Sequence, residues 1–227
     1  MPKYTNEDLK GLKSGAFEPI YFNEFQEYYK KAYDDEHANL LFVCYISGLR
    51  PIEVKRLIKE NFIFETNYII IDIYTAKKGV KRRIYIPRIK NIIINKFIDY
   101  VRNLTYPKQY VFGSFVRAKN IRSKFMYLNF KTQIGRVNIN GIFQPFSFYV
   151  FRHNIMTLLA ENGADFIDLQ IFKGAQLNKN LFGSASFYIH RSRERMIKIS
   201  KILRKILKKE YTKKGLRLKS CLTKQLN

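Results

Sequence analysis

The chain has 227 residues, enough for one substantial domain, and its 42 Lys and Arg against 18 Asp and Glu give a formal net charge of +24. Such a charge repels itself and calls for a polyanionic partner: nucleic acid first, a ribosome-like RNA surface second, an acidic membrane third. Cys44 and Cys221 fit no disulfide or metal spacing, the N-terminus has no apolar signal core, and Tyr68 to Tyr74 is too short to span a bilayer, so an intracellular, soluble protein is expected.

The charge is concentrated. Arg191 to Asn227 holds 14 Lys and Arg against only Glu194 and Glu210, which is half of the net excess. Residues 1 to 19 read as an arm or linker ending at Pro19. From Asn23 onward, Phe25, Tyr28, Tyr29 and Ala32 recur at helical spacing. Asp34-Asp35 caps a second helix with Leu40, Leu41, Cys44 and Tyr45 inward, which Ser47-Gly48 ends. Pro51 occupies a first helical position, and Ile52 to Ile58 reads as a short third helix. Arg50 therefore lies in the joint between two helices, and Glu53, one turn on, is placed to orient it by a charge-assisted hydrogen bond. Taken alone, Arg50 is a solvated surface charge.

Phe62 to Glu65, Asn67 to Tyr74 and Val80 to Ile86 are rich in Ile, Tyr and Phe and read as strands. Lys78-Gly79 forms a hairpin tip, and Lys81, Arg82 and Arg83 beside it suit contacts to a phosphate backbone. A helix is expected over Arg88 to Asn103, with Ile89, Ile92, Ile93, Phe97 and Val101 inward. Tyr110 to Phe112 is a brief extended segment. Residues 117 to 134 are helical in period, with Phe125, Leu128 and Ile134 inward, and N-I-N-G at 138 to 141 is a loop.

Ser147 to His190 is the most informative stretch. Ser147 caps a helix over Phe148 to Glu161, which Asn162-Gly163 stops. Asp165 caps the next helix, with Phe166, Leu169 and Phe172 inward and Gly174 just past its end. Tyr149 and Arg152, three apart, share a helix face. His153 reads as structural. After a polar loop come Phe187-Tyr188-Ile189-His190, and then a basic helix from about Arg193 to Lys209 with Met196, Ile199, Ile202, Leu203 and Ile206 as its apolar stripe. An arginine near a helix start needs an anion, and Tyr188 is a candidate chemical partner of that anion. Tyr188 alone reads equally as a packed surface aromatic, and His190 as a solvated one.

The pieces G-L-R-P-I-E at 48 to 53, K-G-V-K-R-R at 78 to 83, Y-V-F-R-H at 149 to 153, E-N-G-A-D at 161 to 165 and F-Y-I-H at 187 to 190 occur in an order that resembles the tyrosine recombinases, the phage integrase family. The resemblance covers about residues 20 to 208, with 209 to 227 left as a basic tail, and its departures from the usual pattern resemble the integrases of archaeal viruses and plasmids more than a dead enzyme. It implies a mixed α/β, mainly α-helical catalytic domain with a small antiparallel β-sheet on one side. It further implies that Arg50 and Arg152 bind the scissile phosphate, that Lys78 protonates the leaving 5′ oxygen, that Glu53 supports the first arginine, and that Tyr188 is the nucleophile forming a 3′-phosphotyrosyl bond. No metal, nucleotide or other cofactor is implied.

Two positions depart from the family's pattern. Tyr149 stands where histidine is usual; its hydroxyl donates a hydrogen bond but, with an ordinary pKa near ~10, is a poor base. Ala175 stands where His or Trp is usual and supplies no donor, which leaves Lys173 or His190 to compensate. Only about 19 residues precede the first matching helix, where the family usually carries a core-binding domain, so a catalytic fragment, a naturally short form or a protein that borrows the other half of its clamp is expected, with weaker and more salt-dependent DNA binding. The resulting expectation is an integrase or resolvase acting on double-stranded DNA as a homotetramer, a monomer or weak oligomer when free, and DNA-associated inside a host cell. A non-catalytic DNA-binding protein on the same scaffold and a topoisomerase-like nickase are the competing readings.

Overall fold

Local signals set most element boundaries in the computed structural model, which describes residues 18–74, 81–138, 141–174 and 193–208. Helix α1 (Phe22–Lys30) buries Phe22, Phe25 and Tyr29, an i, i+3, i+7 stripe. Helix α2 (Asp35–Ser47) starts where the Asp34 side chain accepts from the His37 amide at 2.7 Å and stops at Gly48, which adopts a left-handed φ of 58°. Between them α2 is apolar almost all round, because it is the central helix: eleven of its residues are buried. Helix α3 (Pro51–Lys55) is shorter than expected, its turn closing at Arg56 and Leu57 before the chain enters the sheet.

Strands β1 (Phe62–Phe64), β2 (Tyr68–Tyr74) and β3 (Lys81–Pro87) form one antiparallel sheet in that order, with Ile71 opposite both Phe62 and Ile84. Helix α4 (Ile92–Arg102) begins at Asn91, whose side chain accepts from the Ile93 and Ile94 amides. That cap rotates the expected face: Ile93, Ile94, Phe97, Ile98 and Val101 are buried, whereas Ile92 is 68% exposed. The short α5 (Gly113–Val116) and α6 (Ile121–Lys131) follow, α6 burying Phe125 and Leu128. The loop expected at 138 to 141 is the connection of a second, two-stranded ribbon, β4 (Gly135–Val137) and β5 (Phe143–Pro145).

Helices α7 (Phe148–Glu161) and α8 (Phe166–Lys173) carry the expected caps, Ser147 and Asp165. Phe166 is 58% exposed instead of inward, and the buried face of α8 is Asp168, Ile171 and Phe172. Helix α9 (Arg193–Lys208) buries its whole expected stripe and packs on β3, α7, α8 and α1 of its own chain. At the start of the domain, Ile20 exchanges backbone hydrogen bonds with the Asn154 amide at 2.6 and 3.1 Å, which ties the entering chain to α7.

A buried carboxylate fastens α9. Asp168 accepts from Arg195 at 2.7 Å and from Lys198 at 2.5 Å, and Lys198 also reaches Asp165 at 2.9 Å. Burial pushes the Asp165 carboxyl up, but the hydrogen bond and charge of Lys198 and the Asp168 amide outweigh it and hold it well below the ordinary carboxylate range. A carboxyl lowered in the folded state contributes stability above its ordinary value, and that contribution fades as pH falls below about 4. Asp168→Asn should loosen α9 at a cost of roughly 1–3 kcal/mol, since both cations keep partial access to water. Hydrogen exchange is expected to rise first in residues 193–208, both in this variant and in the wild type on acidification; unchanged protection there would count against the latch.

Candidate active site

The site is built around a chain reversal that only glycine fits. A Cβ at Gly48 would stand 2.9 Å from Ile155 Cγ2 and 3.3 Å from Arg152 Cα, and the residue's φ is left-handed. Its absence lets α7 lie directly against the end of α2, which brings Arg152 to the Gly48 carbonyl. Arg50 follows two residues later as the N-cap of α3.

Glu53, 1% exposed, folds back over this turn. One carboxylate oxygen accepts from the Arg50 amide at 2.8 Å and the other from Arg50 Nη1 at 3.0 Å. A second guanidinium approaches from behind: Arg82 Nη2 lies 3.6 Å from Glu53 Oε2. The carboxylate thus sits between one arginine facing the surface and one facing the core, and each offsets its desolvation.

Arg82 is a correction to the sequence reading. Expected on the DNA side with its neighbours, it is 1% exposed and cannot touch a phosphate. Nη1 donates to the Phe172 carbonyl and Nη2 to the Ser47 carbonyl at 3.5 Å. The strand period carried the signal: Arg82, Ile84 and Ile86 alternate onto one face, and that face is the core. Arg83 on the opposite face is exposed and pairs with Asp72 across β2 at 3.3 Å.

Arg152 repeats the arrangement one residue along. Nη1 donates to the Gly48 carbonyl and Nη2 to the Lys173 carbonyl at 2.8 Å. Lys173 therefore meets the site through its backbone, while its side chain is exposed. Burial, and then the charge of Arg50, push the Arg152 guanidinium down to about 10, against a smaller opposing effect of Glu53. It remains a cation at neutral pH. Two neighbouring guanidinium groups, one desolvated, make a place where an anion relieves both repulsion and burial.

Tyr149 lies one turn before Arg152 and is 70% exposed, its ring 6.2 Å from His153. His153 is itself exposed, 3.5 Å from the Thr157 hydroxyl. Lys78, Ala175, Tyr188 and His190 lie outside the described residues, and of Lys81 only the backbone, at the start of β3, is described. The structure therefore brings together Arg50, Glu53 and Arg152, with Tyr149 on the adjoining helical turn.

A model of the phage integrase family matches residues 21–176, which includes both arginines. No curated protein matches. Among solved structures, the integrase from mycobacterium phage Brujita superposes with a TM-score of 0.56 at 13% identity, over 95% of this chain and 64% of that one. A XerH site-specific recombinase bound to a palindromic difH substrate, in a post-cleavage complex, gives 0.53 at 18% identity, over 81% and 51%. A XerA recombinase gives 0.52 at 17%, over 87% and 68%. The likeness is one of fold, and the chain spans about half to two thirds of the length of these structures.

Glu53→Gln should lower the urea midpoint by an amount equivalent to about 2–4 kcal/mol, because Arg82 is left buried beside a neutral amide. Tyr149→Phe should change stability by no more than about 0.5 kcal/mol, as expected of a side chain open to water. Equal stability of the two variants would show that the buried carboxylate is not what holds the arginine turn.

Proposed function

Because the chain belongs to the phage integrase family, we propose that it is a site-specific DNA recombinase that cleaves and rejoins duplex DNA through a 3′-phosphotyrosyl intermediate. The observation that carries this reading is the meeting of Arg50 and Arg152 at the Gly48 turn, where their mutual repulsion and the burial of Arg152 favour an anion. A scissile phosphodiester is an anion of the right shape for two guanidinium forks.

In the proposed reaction the Tyr188 oxygen attacks phosphorus, the bond from phosphorus to the 5′ oxygen breaks, and the phenolic proton is released. Lys78 gives a proton to the departing 5′ oxygen. Arg50 and Arg152 bind the non-bridging oxygens and stabilise the charge that accumulates on the pentacoordinate phosphorus, with Tyr149 donating a further hydrogen bond. Glu53 holds Arg50 in place and takes no part in proton transfer, since both its oxygens are engaged by arginines. The phosphotyrosyl diester retains the energy of the broken bond, so rejoining proceeds by the reverse attack of a 5′ hydroxyl without ATP or metal.

Duplex DNA is the proposed partner, with Arg83 and Lys81 on the hairpin meeting its backbone and four copies of the chain assembling on paired sites. The XerH structure, solved with its difH substrate after cleavage, supports the reading by the likeness of its fold. The net charge of +24 supports it by the field it creates around the site. The proposed setting is the interior of a host cell, on DNA.

A nicked suicide substrate tests the mechanism, since loss of the short fragment after cleavage traps the covalent adduct for detection on a denaturing gel. Wild type should form the adduct, and Tyr188→Phe should abolish it while retaining DNA in a gel shift. Arg152→Ala should slow adduct formation by about 10²–10³-fold. An adduct that survives Tyr188→Phe would refute the nucleophile, and DNA retention by wild type with no adduct would identify a binding protein instead.

A further inference from the structure

Arg82 reaches three of the elements from which the site is built. From β3, its Nη1 donates to the Phe172 carbonyl at the end of α8 and its Nη2 to the Ser47 carbonyl at the end of α2 at 3.5 Å. Nη2 also lies 3.6 Å from Glu53 Oε2 on α3. The side chain is 1% exposed, so it is not offered to a ligand. Burying a guanidinium has a desolvation cost that an apolar side chain, on the strand face it shares with Ile84 and Ile86, would not incur. What an arginine adds there is a planar fork that holds two carbonyls at a fixed separation.

Those carbonyls are each one residue before the pair held by Arg152. Ser47 precedes Gly48 and Phe172 precedes Lys173, and Arg152 donates from Nη1 to the Gly48 carbonyl and from Nη2 to that of Lys173 at 2.8 Å. Neighbouring carbonyls are joined by a rigid peptide plane, so the span closed by Arg82 sets the span that Arg152 bridges. Both Nη groups of Arg152 are thereby anchored, which fixes the plane of its guanidinium and leaves its other N–H donors for an anion. Glu53, whose Oε2 faces Arg82, holds Arg50 through its amide at 2.8 Å and Nη1 at 3.0 Å. Arg82 thus stands behind both arginines of the site.

We propose that Arg82 is a positioning residue for strand cleavage: it touches no DNA, and it aims Arg152 and Arg50 by fixing the gap between the ends of α2 and α8. The proposal rests on the recombinase reading for its reaction, while the geometry it invokes is measurable without DNA. A misplacement of about 1 Å in a group that must meet the reacting centre costs on the order of 10²-fold in rate, so loosening this gap acts on the chemical step. DNA affinity depends on phosphate contacts, which a buried Arg82 does not make.

The test uses the full-length chain with Arg82→Lys, which keeps the charge and removes the fork. Adduct formation on the nicked suicide substrate is timed under single turnover, at saturating protein and well below each protein's unfolding midpoint, and DNA affinity is measured separately by gel shift. Arg82→Lys should form the adduct about 10–100-fold more slowly while binding DNA within about threefold of wild type. The second readout is the ¹⁵N spectrum of the arginine guanidinium groups without DNA. In wild type the Nη1 and Nη2 signals of Arg152, assigned by their loss in Arg152→Lys, should be separate because both groups are held. In Arg82→Lys they should merge as the guanidinium turns. Wild-type Arg82 should also show a coupling across its hydrogen bond to the Phe172 carbonyl carbon, a measurement that needs no variant to fold. A wild-type rate in Arg82→Lys, Arg152 signals that stay separate in it, or a missing coupling to Phe172 would each overturn the proposal. A wild type that forms no adduct would refute the recombinase reading instead, and the Arg152 signals would still decide the placement made by Arg82.

Discussion

Two arginines bridge the same two helix ends, and the rest of the site depends on that. The last carbonyls of any α-helix lack intrahelical partners and carry the negative end of its dipole. Here the ends of α2 and α8 point toward each other. Arg82 joins Ser47 to Phe172 and Arg152 joins Gly48 to Lys173. Each guanidinium satisfies one carbonyl on either side, a reach that a lysine ammonium, as a point donor on a flexible stem, does not reproduce in a fixed plane. The bridge from β3 is wholly internal, and the bridge from α7 is only half-buried. A single architectural device thus serves once inside the core and once at the surface.

Glu53 makes this arrangement electrostatically tolerable. Three guanidinium groups around one turn would repel strongly in a medium of low dielectric constant. The buried carboxylate compensates Arg82 from one side and Arg50 from the other. Arg152 is the member for which the compensation is smallest, since the influence of Glu53 on it is outweighed by burial and by Arg50. One carboxylate against three guanidinium groups leaves the turn with an excess of positive charge, and Arg152 carries the least compensated part of it.

The sequence was most legible where a local rule acts alone. Asp34, Ser147 and Asp165 each cap the helix that follows, and Gly48 and Gly174 end helices in the left-handed conformation, all from chemistry confined to four or five residues. It was least legible where tertiary context chooses between two faces. Ile92 and Phe166 fit the apolar pattern yet lie at the first helical position, just after the cap, where the helix has not yet met the core. Arg82 was hidden by its neighbours: within K-R-R, charge suggested a common role, while the two-residue strand period separated them. The β4–β5 ribbon escaped because three-residue strands give too little alternation to count. In the site, order along the chain was enough to pair Arg50 with Arg152, but the carbonyls they share belong to no side-chain motif.

Helix α2 also explains why this small domain sustains opposite chemistries. Its C-terminal end attracts cationic side chains. Its N-terminal end, where the dipole favours negative charge, carries Asp34, Asp35 and Glu36, with Glu36 accepting from the Ser114 amide at 2.9 Å at the start of α5. The carboxylates are thus placed by the same physics as the arginines, with the sign reversed. Because eleven of its residues are buried, α2 is held rigidly along its length, and the two ends keep their separation. Acidic side chains so far from the Arg50 turn do not compete with a phosphate there, since at physiological ionic strength the screening length is about 8 Å. Acidic side chains at this end of α2 therefore leave the positive field around the Arg50 turn undiminished.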